Sequence, residues 1–374
     1  MCRRLAIASS LFFCFAGLTP GQAAAGVPSA DVAAKTVLPI LTRYLRALDG
    51  VYTASDDGLA RTRAKTLLRA DAHYALGLRR ALSDSNLAVA SASEGISQLT
   101  ITSVGVGSVS VAALVDHSFH LVTADSRVPE TTWEEAVPTR ATIDATTRAV
   151  KTFGQQVATR VRATHPGSES VAGQPSSVDD VGVTRPRTTA GGARRFPASD
   201  SCGASPPDYC YFRADALNYV LAHACSRCHD PNWHYYRGED CTNFMSAALY
   251  LQGNWLQQEY PSNYSTSWWW RSASNHSRTW TIANKFYWYL AERSRAIHAS
   301  SLSRLIVGDL LQADWTGDGQ MDHTAMVTKK DSTGIYLSYH SNDTRNKPWA
   351  AFRYGEPDAT YYGWNLQGIY DNRL

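Results

Sequence analysis

Between Thr164 and Ser201 the chain carries 38 residues rich in Ser, Pro, Gly, Thr and Arg and almost bare of large apolar side chains. Such a stretch cannot bury enough surface to offset the entropy of ordering it, so it reads as a linker and divides the chain into two folding units. If flexible it spans roughly 35 Å and is expected to let the two halves move independently. The flanking lengths suit one core each. The expected organisation is a leader over residues 1–25, an N-terminal domain over 26–163, the linker over 164–201 and a C-terminal domain over 202–374.

The leader is read from its own chemistry. Arg3 and Arg4 precede an apolar run from Leu5 to Leu18, and Ala23-Ala24-Ala25 offers the small residues that a signal peptidase needs. The apolar run is short for a membrane span, and no later stretch approaches the roughly 20 apolar residues required. The bulky Leu11-Phe12-Phe13 before Cys14 does not suit a lipid anchor. A soluble, secreted bacterial protein is expected. Losing Arg3 and Arg4 turns 36 bases against 33 acids into 34 against 33. That balance argues against a nucleic-acid binder.

In the first half, apolar residues recur at helical spacing from Asp31 to Leu48 and again from Leu59 to Leu82, predicting two helices. From Leu87 to about Thr147, runs such as Leu99-Thr100-Ile101-Thr102 predict an antiparallel sheet. The pattern of helices on a curved sheet resembles the cone-shaped nuclear-transport-factor-like fold. His73, His117 and His120 stand isolated in the sequence, so this half is assigned a spacer, docking or chaperone-like role.

The second half holds ten of the eleven tryptophans and all five cysteines of the mature chain. Five cysteines in an oxidising compartment cannot all pair within one chain. Cys202, Cys210, Cys225 and Cys228 crowd into 27 residues and are candidates for two disulfides. Cys241 stands apart. Gly238-Glu239-Asp240 reads as a turn and N-cap, and Phe244, Met245, Ala248 and Leu249 then follow at helical spacing, which puts Cys241 in a first helical turn. There the helix dipole and free N–H groups favour a thiolate and could steady an oxyanion, with Asp240 and Thr242 as supporting residues.

A nucleophilic thiol needs a base. Asp322-His323-Thr324-Ala325-Met326-Val327-Thr328 leads through a turn at Lys329 to Gly334 into Ile335 to His340, which predicts a β-hairpin. Pairing Thr328 with Ile335 sets His323 opposite His340, and a slip of two residues sets it opposite Asn342. Either could orient the imidazole of His323.

Other signals have competing readings. Cys225-Ser226-Arg227-Cys228-His229 fits a haem-attachment pattern, but a disulfide brace explains it without a second axial ligand. Asp314 to Asp322 resembles the opening of a calcium loop yet lacks the distal glutamate, so a tight turn delivering His323 is preferred. Trp268, Trp269 and Trp280 are candidates for a groove in which sugar rings or peptides stack. No metal or cofactor is called for.

These motifs together resemble the putative amidase domain family of secreted bacterial proteins, within the papain-like set of thiol hydrolases. The resemblance covers about residues 203–365 and is carried by Phe212 to Tyr219, Asp240 to Ser246, Gly308-Asp309, Asp322 to Thr328 and His340 to Asp343. It departs at Ala247, where relatives often have Gln, and at Gln252-Gly253, where they often have two glycines. It implies an α+β domain in which a helix bearing the nucleophile Cys241 packs on an antiparallel sheet bearing the base His323, with His340 or Asn342 third. The implied activity is hydrolysis of amide bonds in peptides or peptidoglycan. The competing expectation is a catalytically silent wall-binding or scaffold protein that keeps the fold.

Overall fold

The computed structural model describes residues 30–155, 211–259, 265–292 and 296–366. The leader, the linker, Cys202 and Cys210 lie outside them.

The N-terminal half is built from α1 (Ala30–Tyr52), α2 (Asp57–Ala64), α3 (Arg69–Asp84) and the antiparallel strands β1 (Ala88–Gly105), β2 (Ser108–Val122), β3 (Thr131–Asp144) and β4 (Ala149–Gln155). Burial along β2 alternates strictly, with Val109, Val111, Ala113 and Val115 facing inward. They meet Val37, Leu41 and Leu45 of α1 in a single core. The expected second helix is two. Asp56 caps the first of them by accepting from Leu59 N at 2.9 Å, and the backbone N–H of Leu68 leaves the helical path to donate to Tyr44 Oη at 3.0 Å. A tertiary hydrogen bond thus interrupts a periodicity that runs on in the sequence.

The C-terminal half contains α4 (Arg213–His223), α5 (Cys241–Leu251), the small hairpin β5 (Trp270–Ser272) and β6 (Asn275–His276), α6 (Arg278–Thr281), α7 (Ala283–Glu292), β7 (Ala296–His298), β8 (Leu310–Asp314), β9 (His323–Asp331), β10 (Gly334–Tyr339), β11 (Thr344–Pro348), α8 (Trp349–Gly355) and β12 (Thr360–Leu366). One face of its sheet carries α5 and α7, where Leu310, Met326 and Trp364 pack with Phe244, Met245 and Phe286. The opposite face carries α8, where Leu311, Ala325, Val327, Leu337 and Tyr339 pack with Phe352. The chain is thus α+β, with a large antiparallel sheet. No helix among the described residues is long and apolar enough to cross a membrane.

The two halves do not form separate bodies. Their strands make one ten-stranded sheet in the order β1-β2-β3-β11-β10-β9-β8-β12-β7, with β4 also on β3. Arg345 pairs with Glu134, and Ala136 N donates to Asn342 O at 3.0 Å. Lys347 Nζ lies 2.9 Å from both carboxylate oxygens of Glu135, with both side chains buried. Burial alone would lower the Lys347 ammonium, but Glu135 holds it above its ordinary value. The independent motion expected of the halves therefore does not describe this structure. Unpaired strand edges and a buried charge on each half are satisfied only by docking.

Candidate functional site

Cys241 is the first residue of α5, and Asp240 before it is the N-cap. The Asp240 side chain does not cap the helix. Its Oδ1 accepts from Tyr236 N at 2.9 Å and Asn243 Nδ2 at 2.8 Å, and its Oδ2 lies 2.6 Å from His340 Nδ1. Asp240 thereby leaves the first-turn N–H groups uncapped, the condition for a positive helix end. Cys241 Sγ lies 3.7 Å from Thr242 Oγ1 and 4.0 Å from Asp322 O, and the N–H groups of Thr242 and Thr324 point at it. Burial nevertheless raises the thiol above its ordinary value, outweighing those donors. The depressed value expected from the sequence is not the state described here.

Thr242 Oγ1 meets Thr324 Oγ1 at 3.0 Å, and Gln312 Nε2 donates to Thr324 Oγ1 at 3.1 Å. Thr324 therefore faces α5. Side chains alternate along a strand, so its neighbour His323 faces α8. The His323 ring lies against Trp315, Tyr339 and Phe352 at centroid distances of 5.4, 4.6 and 6.2 Å. The residue is 3% exposed, and its Nε2 has no hydrogen-bond partner among the described residues. Burial, then the nearby Lys347 charge, lowers its pKa to about 3, so the ring is neutral. Cys241 Sγ thus touches the peptide groups on both sides of His323 while the imidazole sits on the other face. No hydrogen bond joins the two side chains among the described residues.

The expected hairpin register is corrected by two features. Ile335 pairs with Lys330, not Thr328, and a bulge at Thr328 lets Leu337 pair with Val327 and Ser338 with Met326. His340 consequently falls on the α5 face. Its ring stacks on Phe244 at 3.5 Å, and its Nε2 donates to His223 O at 2.8 Å. It orients Asp240 rather than His323. Asn342 is buried where β10 ends, its carbonyl taken by Ala136 N and Thr344 Oγ1, and no hydrogen bond joins it to His323 among the described residues.

The tryptophan groove is corrected as well. Trp268 and Trp280 are fully buried and stack at 4.4 Å. Trp268 Nε1 donates to Ser246 Oγ and Trp280 Nε1 to Asn243 Oδ1, both at 3.1 Å, so they support α5 from within the core. Trp269 is half-buried under Arg271. Cys225 and Cys228 form a disulfide, which uses both thiols that haem attachment would need. In the Asp314 to Asp322 segment, Asp314 Oδ1 accepts from Thr316 and Gly317 N and Oδ2 from Gly319 N. Those oxygens organise the turn before His323.

Several partnerships were not read from the sequence. Arg213 Nη1 meets the fully buried Asp309 at 2.7 Å and links α4 to the start of β8, which explains why these two distant motif residues occur together. His229 lies 3.0 Å from Asp343, which also accepts from Tyr235 Oη at 3.3 Å. His229, His340 and Asp343 bring potential ligand atoms within 4.8 Å of one another. Both nitrogens of His340 already face Asp240 and His223 O, so that ring has no free lone pair for a cation. In the N-terminal half, His117 is not isolated, for Nδ1 lies 2.9 Å from Glu94 and Asp49 adjoins the pair. Positions 49, 94 and 117 are too far apart in sequence to signal a cluster.

The C-terminal half of this α+β protein sets the first turn of a helix against the start of a sheet strand, beneath a second helical layer. Residues 210–364 match the family described as the putative amidase domain, so this half is amidase-like. It is similar to two proteins of Bacillus subtilis (strain 168). YhbB, described as uncharacterized, is 32% identical over 116 residues, covering 30% of this chain and 36% of that protein. YjcM, also described as uncharacterized, is 29% identical over 144 residues, covering 36% of this chain and 31% of that protein. The chain thus spans about a third of the length of these relatives. No solved structure matches.

Proposed function

We propose that the C-terminal half hydrolyses amide bonds by acyl transfer to water, with Cys241 as nucleophile and His323 as base. The observation that carries this reading is the position of Cys241 Sγ at the start of α5, against the peptide groups on either side of His323. His323 takes the thiol proton, and the sulfur attacks the amide carbonyl to form a C–S bond. The first-turn N–H groups of α5 steady the oxyanion. The imidazolium returns its proton to the leaving nitrogen as the C–N bond breaks. His323 then draws a proton from water, whose oxygen attacks the thioester; the C–S bond breaks, the imidazolium returns the proton to the sulfur, and the acid leaves as a carboxylate on losing its own proton to solvent. The sequence requires the imidazole to turn to the α5 face.

The substrate we propose is a peptide amide in cell-wall peptidoglycan, reached after export. Support comes from the basic and apolar leader and from the amidase-like domain. One observation favours a second reading. The described separation of thiol and imidazole suits a silent wall-binding protein.

Digestion of purified peptidoglycan by the mature protein and by Cys241→Ala, with mass analysis of soluble fragments, separates the two. Fragments released only by the native protein are expected. Release by neither, with binding to the wall retained, would discard the hydrolytic reading.

A further inference from the structure

We infer that the described arrangement is the resting form of a chain that opens when it meets its wall substrate, in which the docked N-terminal half pins α8 over His323 and so holds Cys241 without its base until then. This rests on the Cys241 and His323 reading given above.

His323 is held by rings, not by hydrogen bonds to its Nε2. A buried ring nitrogen with no partner contributes nothing to the fold that an apolar side chain would not supply better. Of the rings around it, Phe352 belongs to α8 and Tyr339 lies just before the turn into β11. The β11 to α8 segment is anchored on the N-terminal half at both ends. At one end Lys347 inserts its ammonium between Glu135 and the face of Trp133, 5.2 Å from the ring centroid. At the other, Tyr354 packs on Tyr74 at 5.4 Å and lies directly over Gly77 of α3, where any side chain would collide with its hydroxyl. Between them Ala351 shares a core with Leu78 and Val51. The N-terminal half therefore backs the helix α8 that covers His323.

The strand is built to permit a second arrangement. His323 is the first residue of β9 and follows a turn in which Gly317 and Gly319 take positive φ. Reorienting one strand-end residue leaves the remaining β9 ladder intact. Cys241 Sγ already touches the peptides that would carry the ring across. Loosening β3 and α3 frees α8, empties the aromatic pocket and lets the ring pair with the thiol, a two-state change of the kind packed interfaces support.

The test is the rate of iodoacetamide alkylation at Cys241, followed by peptide mass spectrometry from pH 6 to 10 in the full chain. Two variants loosen the contact by different means. Glu135→Gln/Lys347→Met removes the buried ion pair without leaving a lone charge. Gly77→Leu wedges Tyr354 away and breaks no ion pair. The native chain should react slowly at pH 7 and accelerate only above about pH 9, as a protonated thiol does. Either variant should react at least tenfold faster at pH 7, and adding His323→Ala should remove the gain. Unchanged rates in both variants overturn the inference. A native chain that already reacts as a thiolate at pH 7 overturns latency and leaves Cys241 as nucleophile. A gain that survives His323→Ala overturns both latency and the assignment of His323 as base.

Discussion

Asp240 shows how much one carboxylate can organise. It is 2% exposed and serves Tyr236 N, Asn243 Nδ2 and His340 Nδ1 together, joining the loop before α5, the helix itself and β10. Asp240→Ala strips three donors of their acceptor at once. A loss of about 3 kcal/mol in urea unfolding is expected, against about 1 kcal/mol or less for the nearly isosteric Cys241→Ser. A cost for Asp240→Ala no larger than that for Cys241→Ser would show that the network is not structural. His323 offers the contrast of a buried imidazole whose Nε2 has no hydrogen-bond partner among the described residues, which is compatible with the role of base proposed for it.

At the scale of elements, α5 is held by polar contacts on a largely buried helix. The Thr242–Thr324 hydroxyl pair ties it to β9, and Asn243 and Ser246 take the indole N–H groups of Trp280 and Trp268. The next brace is Arg213 on Asp309, which depends on Gly308. Gly308 has φ +86°, and a Cβ there would run into Arg213 Cγ. Gly308→Ala should cost about 2–3 kcal/mol from strain and displacement of the guanidinium. Thermal unfolding checks it, and an unchanged midpoint would mean the brace relaxes freely. The register of the β9–β10 hairpin illustrates the limit of pattern reading at this scale. Alternation alone allowed His323 to face His340, but the extra residue at Thr328, fixed by its bonds to Ser338 and Asn346, shifts the ladder and sends the two histidines to opposite faces.

At the scale of the whole molecule, a line of buried ionisable groups runs from the N-terminal core to the junction. Asp49 on α1, Glu94 on β1, His117 on β2, Glu135 on β3 and Lys347 on β11 face one another. Burial, then the charge of Glu94, pushes the Asp49 carboxyl from 3.8 to about 8. For His117 burial would lower the pKa, but the Glu94 carboxylate more than offsets it. Both groups hold protons in the folded chain at pH values where the unfolded chain has lost them. Stability from these groups is therefore present at acid pH and falls as pH rises, for Asp49 across the window from about 4 to 8. Thermal midpoints should drop between pH 5 and 8, and Asp49→Asn should flatten that slope. A slope unaltered by the substitution would place the titration elsewhere.

Some of this was legible in the amino-acid order. Periodicity in β2 and α5 placed the strands and the helix that opens on Cys241, because a repeat of two or 3.6 is a local consequence of burying one face. The Asp-Cys-Thr-Asn and Asp-His-Thr motifs marked the amidase-like half for the same reason, since each is a short run whose meaning does not depend on distant residues. Tertiary structure alone decided the rest. The joining of the halves through β3 and β11, the bulge that turns His340 away from His323, the Asp49, Glu94 and His117 cluster, and the burial of Trp268 and Trp280 all depend on which surfaces meet across scores of residues. No local spacing records those encounters, because they are settled by burial and by the pairing of charges and strand edges once the chain is compact.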